Sequence, residues 1–317
     1  MLIVDGNDLT QIACNIKYTD QLNNGASSLT WEYPIALAKF YPEGATVIFK
    51  YGSTNVFYGF LFTSRADIMT VKCTAYDQLR YFKAQDFMHR TGEPLDAFVK
   101  RICGTISDRI SIGTMTATGA KLSAKIFDNK TYLDMFYDSI KETLLLSGNY
   151  YALRDEFGAL TLRDVYDLRL GLVVGDGSLA TDYDYVRSID EDTFNVVKVG
   201  QDNKATGQRD TIVVKDGESV TKWGKLMHYQ TFNDRNDAQL KGLAAAILAV
   251  KNRPTEALSI DCVGDLRVRA GVGLKIKISD IGVDLWAIVT QASHSFSGAE
   301  HTMRLNLQYG RWLGWMR

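Results

Sequence analysis

The chain has 317 residues, 46% of them hydrophobic and 23% charged, and its formal net charge is −1. These values are ordinary for a globular protein and leave room for two or three domains that each bury a core. The near-neutral balance argues against a protein that holds nucleic acid by neutralising phosphates, and against one that binds an anionic membrane surface.

The four cysteines, Cys14, Cys73, Cys103 and Cys262, are widely spaced and form no CxxC motif. Cys73 and Cys262 stand in alternating strand patterns, which predicts buried thiols rather than disulfides and assembly in a reducing cytoplasm. The first residues lack the basic segment and apolar run of a signal peptide. No stretch approaches the roughly eighteen apolar residues of a membrane span, so we expect neither a leader nor a span.

Residues 1–80 are predicted to form a first β-barrel, completed by a later segment at about 158–192. Short runs rich in β-branched and aromatic side chains alternate here with turn sequences such as Asn23-Asn24-Gly25. The predicted strands are Ile12–Tyr18, Ser28–Tyr33, Ala45–Tyr51, Asn55–Arg65 and Ile68–Ala75. After them, Tyr76–Tyr81 indicates a short helix or turn.

Residues 81–157 are predicted to be an inserted α/β module. Pro94 suits the first turn of a helix, and the apolar stripe of that helix is Leu95, Phe98, Val99 and Ile102. Residues 107–127 are poor in large apolar side chains and indicate a loop with at most one short strand. Acidic Asp182-x-Asp184 and Asp190-Glu191-Asp192, further along, are interpreted as solvated turns rather than a Ca²⁺ site.

The stretch Lys130–Arg163 predicts one amphipathic helix followed by a tight β-hairpin. Thr131 and Asp134 have the spacing of a capping box, and Gly148 suits a left-handed helix end. The apolar face of this helix is Leu133, Phe136, Tyr137, Ile140 and Leu144. The hairpin strands Tyr150–Leu153 and Ala159–Arg163 are joined by a turn that contains Gly158.

Residues 193–317 are predicted to form a second β-barrel with one helix at 236–251. Asn236 can cap that helix, which must end before Pro254. The segments Leu274–Ile278 and Thr302–Gln308 alternate apolar and polar residues, as half-exposed strands do. The resulting class is α+β, mainly antiparallel β, with two barrel domains around a helix-containing insert.

Candidate chemistry is sparse. His294 and His301 flank the turn of a predicted hairpin, so they are either a pair of metal ligands or ordinary polar residues beside the turn. The spacing specifies no third ligand. The sequence has no G-x-S-x-G elbow and no phosphate-binding glycine loop. We therefore predict a protein that is not an enzyme and has no catalytic, cofactor-binding or metal-binding residues.

Two tryptophans, Trp312 and Trp315, follow the last predicted strand. They either pack on the chain's own barrel or anchor a subunit interface, because Trp beside Arg is typical of such contacts. We take them as the candidate subunit interface.

A series of short segments, in order along residues 76–308, resembles the baseplate hub proteins of contractile phage tails and phage-tail-like bacteriocins, of the kind found in PBSX-like prophages. The segments are YDQLRYFK (76–83), DNKT (128–131), DEFGALTL (155–162), YVRSIDEDTFN (185–195), KWGKL (222–226), GDLRVRAG (264–271), HSFS (294–297) and EHTM (300–303). More distantly, the helix and hairpin are similar to those of late-control-D proteins.

The resemblance implies a structural virion protein with two tail-tube-like β-barrels. Three copies would form a homotrimeric ring that adapts a six-fold tail tube to a three-fold spike. The implied partners are the tail-tube, spike, tape-measure and baseplate wedge proteins, without a cofactor, specific nucleic-acid binding or a membrane. The implied location is the baseplate of a virion or tail-like particle, assembled in the bacterial host cytoplasm.

An alternative from another class is a tail-associated peptidoglycan hydrolase or a cell-wall or carbohydrate-binding protein. Its β-rich fold would give the same strand patterns, and the partnering of catalytic carboxylates is spatial rather than sequential. Hydrolysis of cell walls by the purified protein would separate the alternatives.

Overall fold

The computed structural model describes residues 1–37, 40–106, 109–190, 192–203, 207–232 and 236–309. The chain divides into two units, of which one comprises Met1–Asp184 and the chain from Ser259 onward, and the other Tyr185–Leu258. In the described part of the chain, no helix is long and apolar enough to cross a membrane.

The strands are β1 Leu2–Val4, β2 Asn7–Asp8, β3 Cys14–Gln21, β4 Ser28–Pro34, β5 Thr46–Tyr51, β6 Thr54–Ala66, β7 Thr70–Tyr76, β8 Gln85–Arg90, β9 Ile112–Met115, β10 Lys125–Thr131, β11 Tyr151–Asp155, β12 Leu160–Asp164, β13 Arg169–Gly175, β14 Ala180–Ser188, β15 Val196–Asn203, β16 Gln208–Lys215, β17 Met227–Thr231, β18 Thr255–Val263, β19 Gly273–Ile278, β20 Val283–Ser297 and β21 Glu300–Gln308. The helices are α1 Leu95–Ile106, α2 Tyr132–Ser147, α3 Gly217–Trp223 and α4 Asp237–Lys251. Short 3₁₀ helices cover Gln78–Lys83, Val165–Leu168 and Ser279–Ile281.

One large sheet joins the two ends of the chain. Its strands follow the order β14-β18-β21-β20-β3-β4-β7-β6-β5-β1-β2, and β19 pairs with both β20 and β13. The antiparallel pairing of β3 with β20 sets Tyr18 opposite His294. A residue from the first twenty thus lies beside one near the C-terminal end.

The predicted α+β class with mainly antiparallel strands is confirmed; among the registers of the described residues, those of β9–β12, β13–β19 and β15–β17 are parallel. Among the described residues, the strand pairings run along open paths and none closes into a ring. The described pairings thus show no closed barrel. The division of the chain into two barrels, with boundaries at 80, 157 and 193, stays a prediction.

The core of the large sheet is aromatic. Alternating residues of β4 and β7 point inward because strand side chains alternate between faces, and Trp31, Tyr33, Val71 and Cys73 are buried. Cys262 on β18 is buried as well, and both cysteines are free thiols, as predicted.

A second core lies between α1, α2, the 3₁₀ helix after β7 and the hairpin β11–β12. The predicted stripe of α1 is fully buried. In α2, Thr131 accepts a hydrogen bond from the backbone N–H of Asp134 at 3.1 Å, and Gly148 ends the helix with a φ of 72°. The capping box, the helix end and the hairpin are confirmed.

The smaller unit has a three-stranded sheet, β16-β15-β17, with α4 on one face. Asn236 caps α4 as predicted, by accepting a hydrogen bond from the N–H of Gln239 at 2.9 Å. The helix α3 was not predicted. It is only seven residues long, and its signal is the cap at Asp216, which accepts a hydrogen bond from the N–H of Ser219 at 2.7 Å.

Candidate functional site

A buried ionic cluster lies where the large sheet meets the helical module. Asp20 on β3 accepts hydrogen bonds from Nε of Arg269 at 2.9 Å and from the hydroxyl of Ser27 at 3.0 Å. Asp77, directly after β7, accepts from the backbone N–H groups of Ser27 and Leu79, each at 2.9 Å. The cluster thus links β3, the end of β7 and the loop before β19.

A third carboxylate, Asp155, extends the cluster into the hairpin β11–β12. It accepts hydrogen bonds from the N–H of Gly158 at 2.7 Å and from the side-chain amide of Gln78 at 2.5 Å. The carbonyl oxygen of Gln78 in turn accepts from the N–H of Ser111 at 2.9 Å. Five segments distant in sequence, 20–27, 77–79, 111, 155–158 and 269, are therefore held by one hydrogen-bonded network.

Burial governs the protonation of this cluster. It raises the pKa of Asp155 to about 6, against the favourable hydrogen bond from Gly158. Burial, together with the nearby charge of Asp155, raises the pKa of Asp77 well above its ordinary value. Although burial opposes its charge, the neighbouring Asp20 raises the pKa of Arg269. Since every carboxylate here has protein donors, the arrangement suits structural cross-linking.

The two histidines named from the sequence lie together on the hairpin β20–β21. Nδ1 of His294 is 2.9 Å from Nε2 of His301, and Nε2 of His294 is 2.9 Å from the carbonyl oxygen of Val268. Because a carbonyl can only accept, Nε2 of His294 carries the hydrogen. Its Nδ1 therefore accepts the hydrogen bond from His301.

Burial favours the neutral form of both rings, and His294 is the more deeply buried of the two. Burial lowers the pKa of His294 to about 4 and also lowers the pKa of His301. A Cβ atom added to Gly264 would lie 2.2 Å from the ring of His301, so glycine is needed for this close approach. Among the described residues, no group of three metal-binding side chains forms around the pair.

A cavity of about 190 Å³ opens beside the ionic cluster. Its described lining residues are Tyr18, Asn55, Val56, Glu156, Phe157, Leu266, Arg269 and His294. Glu156 is the one carboxylate of that lining, and it is ion-paired with Arg154 at 2.7 Å. This lining does not provide the two facing carboxylates that glycoside hydrolysis uses.

Exposed apolar side chains gather at one end of the large sheet. The turn between β6 and β7 presents Ile68, 93% exposed, and Met69, 73% exposed. The backbone N–H of Ile35 donates to the carbonyl oxygen of Met69 at 2.9 Å, which brings Ile35 beside that turn. Exposed apolar groups at this density mark contact surfaces.

In the described chain, the face of the smaller unit's sheet opposite α4 exposes several side chains. The register sets Lys198 on β15 beside Val213 on β16 and Tyr229 on β17. Val213 is 55%, Met227 48% and Tyr229 44% exposed. Sequence reasoning missed this face, because Ile212, Val213 and Val214 in β16 are consecutive apolar residues and β17 was not predicted as a strand.

The candidate interface residues Trp312 and Trp315 lie outside the described residues. The acidic pair Asp182 and Asp184 was predicted to lie in a turn, and this prediction is wrong, because both residues are in strand β14. The tyrosines and valine that alternate with the acidic residues in this segment are the strand signal that could have shown it.

The comparisons with known proteins agree with this architecture. The sequence profile of the family described as YQBQ-like matches residues 16–308. The chain belongs to this family.

The "Phage-like element PBSX protein XkdQ" of Bacillus subtilis (strain 168) is 30% identical over 269 residues, which are 84% of this chain and 81% of that protein. YqbQ of the same strain is 30% identical over 271 residues, again 84% of this chain and 81% of the relative. The predicted kinship with PBSX-like prophage proteins is confirmed.

Solved structures share the fold of this YQBQ-like chain. The 43 kDa tail protein of prophage MuSo2 from Shewanella oneidensis superposes with a TM-score of 0.73 at 11% identity, covering 97% of both chains. A tail protein from Neisseria meningitidis MC58 has a TM-score of 0.73 at 14% identity, covering 99% of this chain and 97% of its own. An Escherichia coli component of the type VI secretion system, described as similar to bacteriophage T4 tail proteins gp27 and gp5, has a TM-score of 0.57 at 9% identity, covering 98% and 78%.

Proposed function

We propose that this YQBQ-like protein is a structural baseplate hub of a contractile injection machine, forming a trimeric ring between the six-fold tail tube and the three-fold spike. The observation that carries the proposal is the fold, which matches phage tail proteins along nearly the entire chain. The family membership, which includes a protein of the phage-like element PBSX, supports the same assignment.

The physical logic of the ring is symmetry matching. If each chain presents two tube-like β domains, three chains present six similar surfaces to the tube while keeping three-fold symmetry toward the spike. The proposed partners are therefore the tail-tube protein above and the spike below, with the tape-measure and wedge proteins as further neighbours. The location is the baseplate of a virion or tail-like particle.

The proposal includes no catalytic step. In the described cavity lining, Glu156 is held by Arg154, and His294 donates to a backbone carbonyl. The buried carboxylates Asp77 and Asp155, whose pKa values are raised, are bound by protein donors instead of facing that cavity. These contacts support scaffolding over the alternative of a peptidoglycan hydrolase.

Exposed apolar groups supply surfaces for the proposed partners. Ile68 and Met69 stand at a strand turn, where side chains of this kind are costly to leave in water. Trp312 and Trp315 are kept as a second proposed subunit contact. Replacing both with Ala should weaken assembly more than it weakens the folding of the isolated chain.

The test is the mass of the purified protein, measured by light scattering and native mass spectrometry. The proposal predicts three times the 35.5 kDa chain mass, and binding of this species to assembled tail tubes of the same prophage. A dimer or hexamer would contradict the ring. Release of soluble fragments from purified peptidoglycan, lost on Glu156→Gln, would instead support the hydrolase.

A further inference from the structure

The exposed face of the sheet β16-β15-β17 points to an interface between copies of this chain. We infer that this basic face of one copy binds the acidic edge strand β14 of the next copy around the ring. The inference rests on the proposed trimer and names the surfaces that would close it.

The face combines apolar area with positive charge. Val213, Met227 and Tyr229 are each more than two-fifths exposed. Lys198 and Lys215 stand on the same side of the sheet, since Lys198 pairs with Val213 and Lys215 with Val196 two residues away. Neither lysine forms an ion pair within the described chain.

Further along the same face, the positive charge of Arg209 is largely neutralised within the chain. Its Nε donates to Asp202 at 2.7 Å and its Nη1 donates to the hydroxyl of Tyr229 at 3.2 Å. The positive charges without an ion-pair partner in the described chain therefore belong to the two lysines, and Nζ of Lys198 also lies 5.9 Å from the ring centroid of Tyr229. Between and beside them lies apolar surface that a partner would remove from water.

Strand β14 offers the complementary surface. It is the terminal strand of the large sheet, so one of its edges has no neighbouring strand in the described chain. Asp182, Asp184 and Val186 occupy alternate positions and therefore project from one side of the strand. All three are exposed, and neither carboxylate forms an ion pair within the described chain.

A closed ring needs two different surfaces on every copy, because each copy contacts one neighbour through the first surface and the other neighbour through the second. The basic face cannot pair with itself, since the lysines would repel each other. When this face binds Asp182 and Asp184 of the next copy, the lysines and the carboxylates become ion-pair partners. Val186 can then contact the apolar residues of the face. Charge complementarity of this kind sets both register and partner choice.

Charge reversal tests the contact. Lys198→Glu with Lys215→Glu should raise the dissociation constant of the trimer on the order of a hundredfold, because two attractive pairs become repulsive. Asp182→Lys with Asp184→Lys should do the same. The variant with all four substitutions should restore the trimer, because the complementarity is then reversed at every interface. All the changed side chains are at the surface, so the far-UV circular dichroism spectrum of each variant should keep its wild-type shape.

Lys222→Glu with Lys225→Glu is the matched control, since it reverses two exposed lysines elsewhere in the same unit and should leave the trimer intact. If the wild type is a trimer and neither double reversal dissociates it, this inference is wrong while the hub proposal stands. If the fourfold variant is folded but remains dissociated, the pairing of these two surfaces is wrong. A wild type that is monomeric at every concentration contradicts the trimer and this contact together.

Discussion

Arg269 donates a hydrogen bond to Asp20 at 2.9 Å across 249 residues of sequence, and Asp20 is almost wholly buried. Removing one partner of a buried ion pair leaves the other charge without compensation. Arg269→Met should therefore lower the free energy of unfolding by about 3–5 kcal/mol, measured by urea denaturation. Arg267→Met, which breaks an exposed pair with Asp265, should cost no more than about 1 kcal/mol.

The double variant sharpens this prediction. Arg269→Met combined with Asp20→Asn removes both charges, so part of the stability lost in the single variant should return. A double variant less stable than Arg269→Met alone would show that Asp20 is stabilised by donors other than the arginine. Equal losses for Arg269→Met and Arg267→Met would contradict the buried pair as a major link.

The protonation of Asp155 makes the free energy of unfolding depend on pH. Its pKa is about 6 in the fold against an ordinary 3.8, so this group binds more protons in the folded state in that window, and it contributes a fall in stability as the pH rises from about 4 to 6. The amplitude is on the order of 3 kcal/mol. In Asp155→Asn this fall should be lost. Asp5→Asn, a change to an exposed carboxylate, should keep the wild-type slope, and an unchanged slope in Asp155→Asn would contradict the prediction.

His294 changes the free energy of unfolding with pH in the opposite direction to Asp155. Burial lowers its pKa to about 4 from 6.5, so this group binds more protons in the unfolded state, and it contributes a rise in stability as the pH goes from about 4 to 6.5, which offsets the fall from Asp155 in the wild type. The amplitude is again on the order of 3 kcal/mol. His294→Gln should remove this rise, and the exposed control His89→Gln should not. Urea denaturation across the pH range measures both slopes, and equal slopes in the two variants would contradict the assignment.

Local signals in the sequence predict the helical module well. Three features depend only on neighbours three or four residues away, and all are found in the structure. They are the capping box of Thr131 and Asp134, the left-handed helix end at Gly148 and the buried apolar face of α1. The pairing of β3 with β20, and with it the ion pair of Asp20, cannot be predicted in this way. The strand pairing joins residues 270 to 280 positions apart and the ion pair joins residues 249 positions apart, and nothing in the spacing of either segment specifies the other.

The sequence also does not determine which strand faces are exposed. The sequence predicts a turn at Asp182 and Asp184, and acidic residues are in general depleted in strands. They are tolerated in β14 because the strand is at a sheet edge, where one side is exposed. Whether a face is covered depends on packing that alternation alone does not determine. The exposed face with Val213 and Tyr229 was also missed.

Close packing at Gly59 gives a fourth prediction. A Cβ atom there would lie 2.3 Å from the carbonyl oxygen of Tyr76 and 2.6 Å from the ring of Phe57. Gly59→Ala should force β6 away from β7 and lower the free energy of unfolding by about 2 kcal/mol or more. Gly104→Ala in α1, where nothing lies within 4 Å of the added atom, should stabilise by up to about 1 kcal/mol. Thermal melting distinguishes the two, and equal shifts would contradict the predicted clash.

The proposed place of this chain in the particle is the junction of the tail tube and the spike. Cryo-electron microscopy of tail-like particles carrying this protein with a small tag measures it directly. We predict three tagged copies in a ring at the junction of tube and spike. Six copies, or a tag located on the sheath, wedges or fibres, would contradict the account.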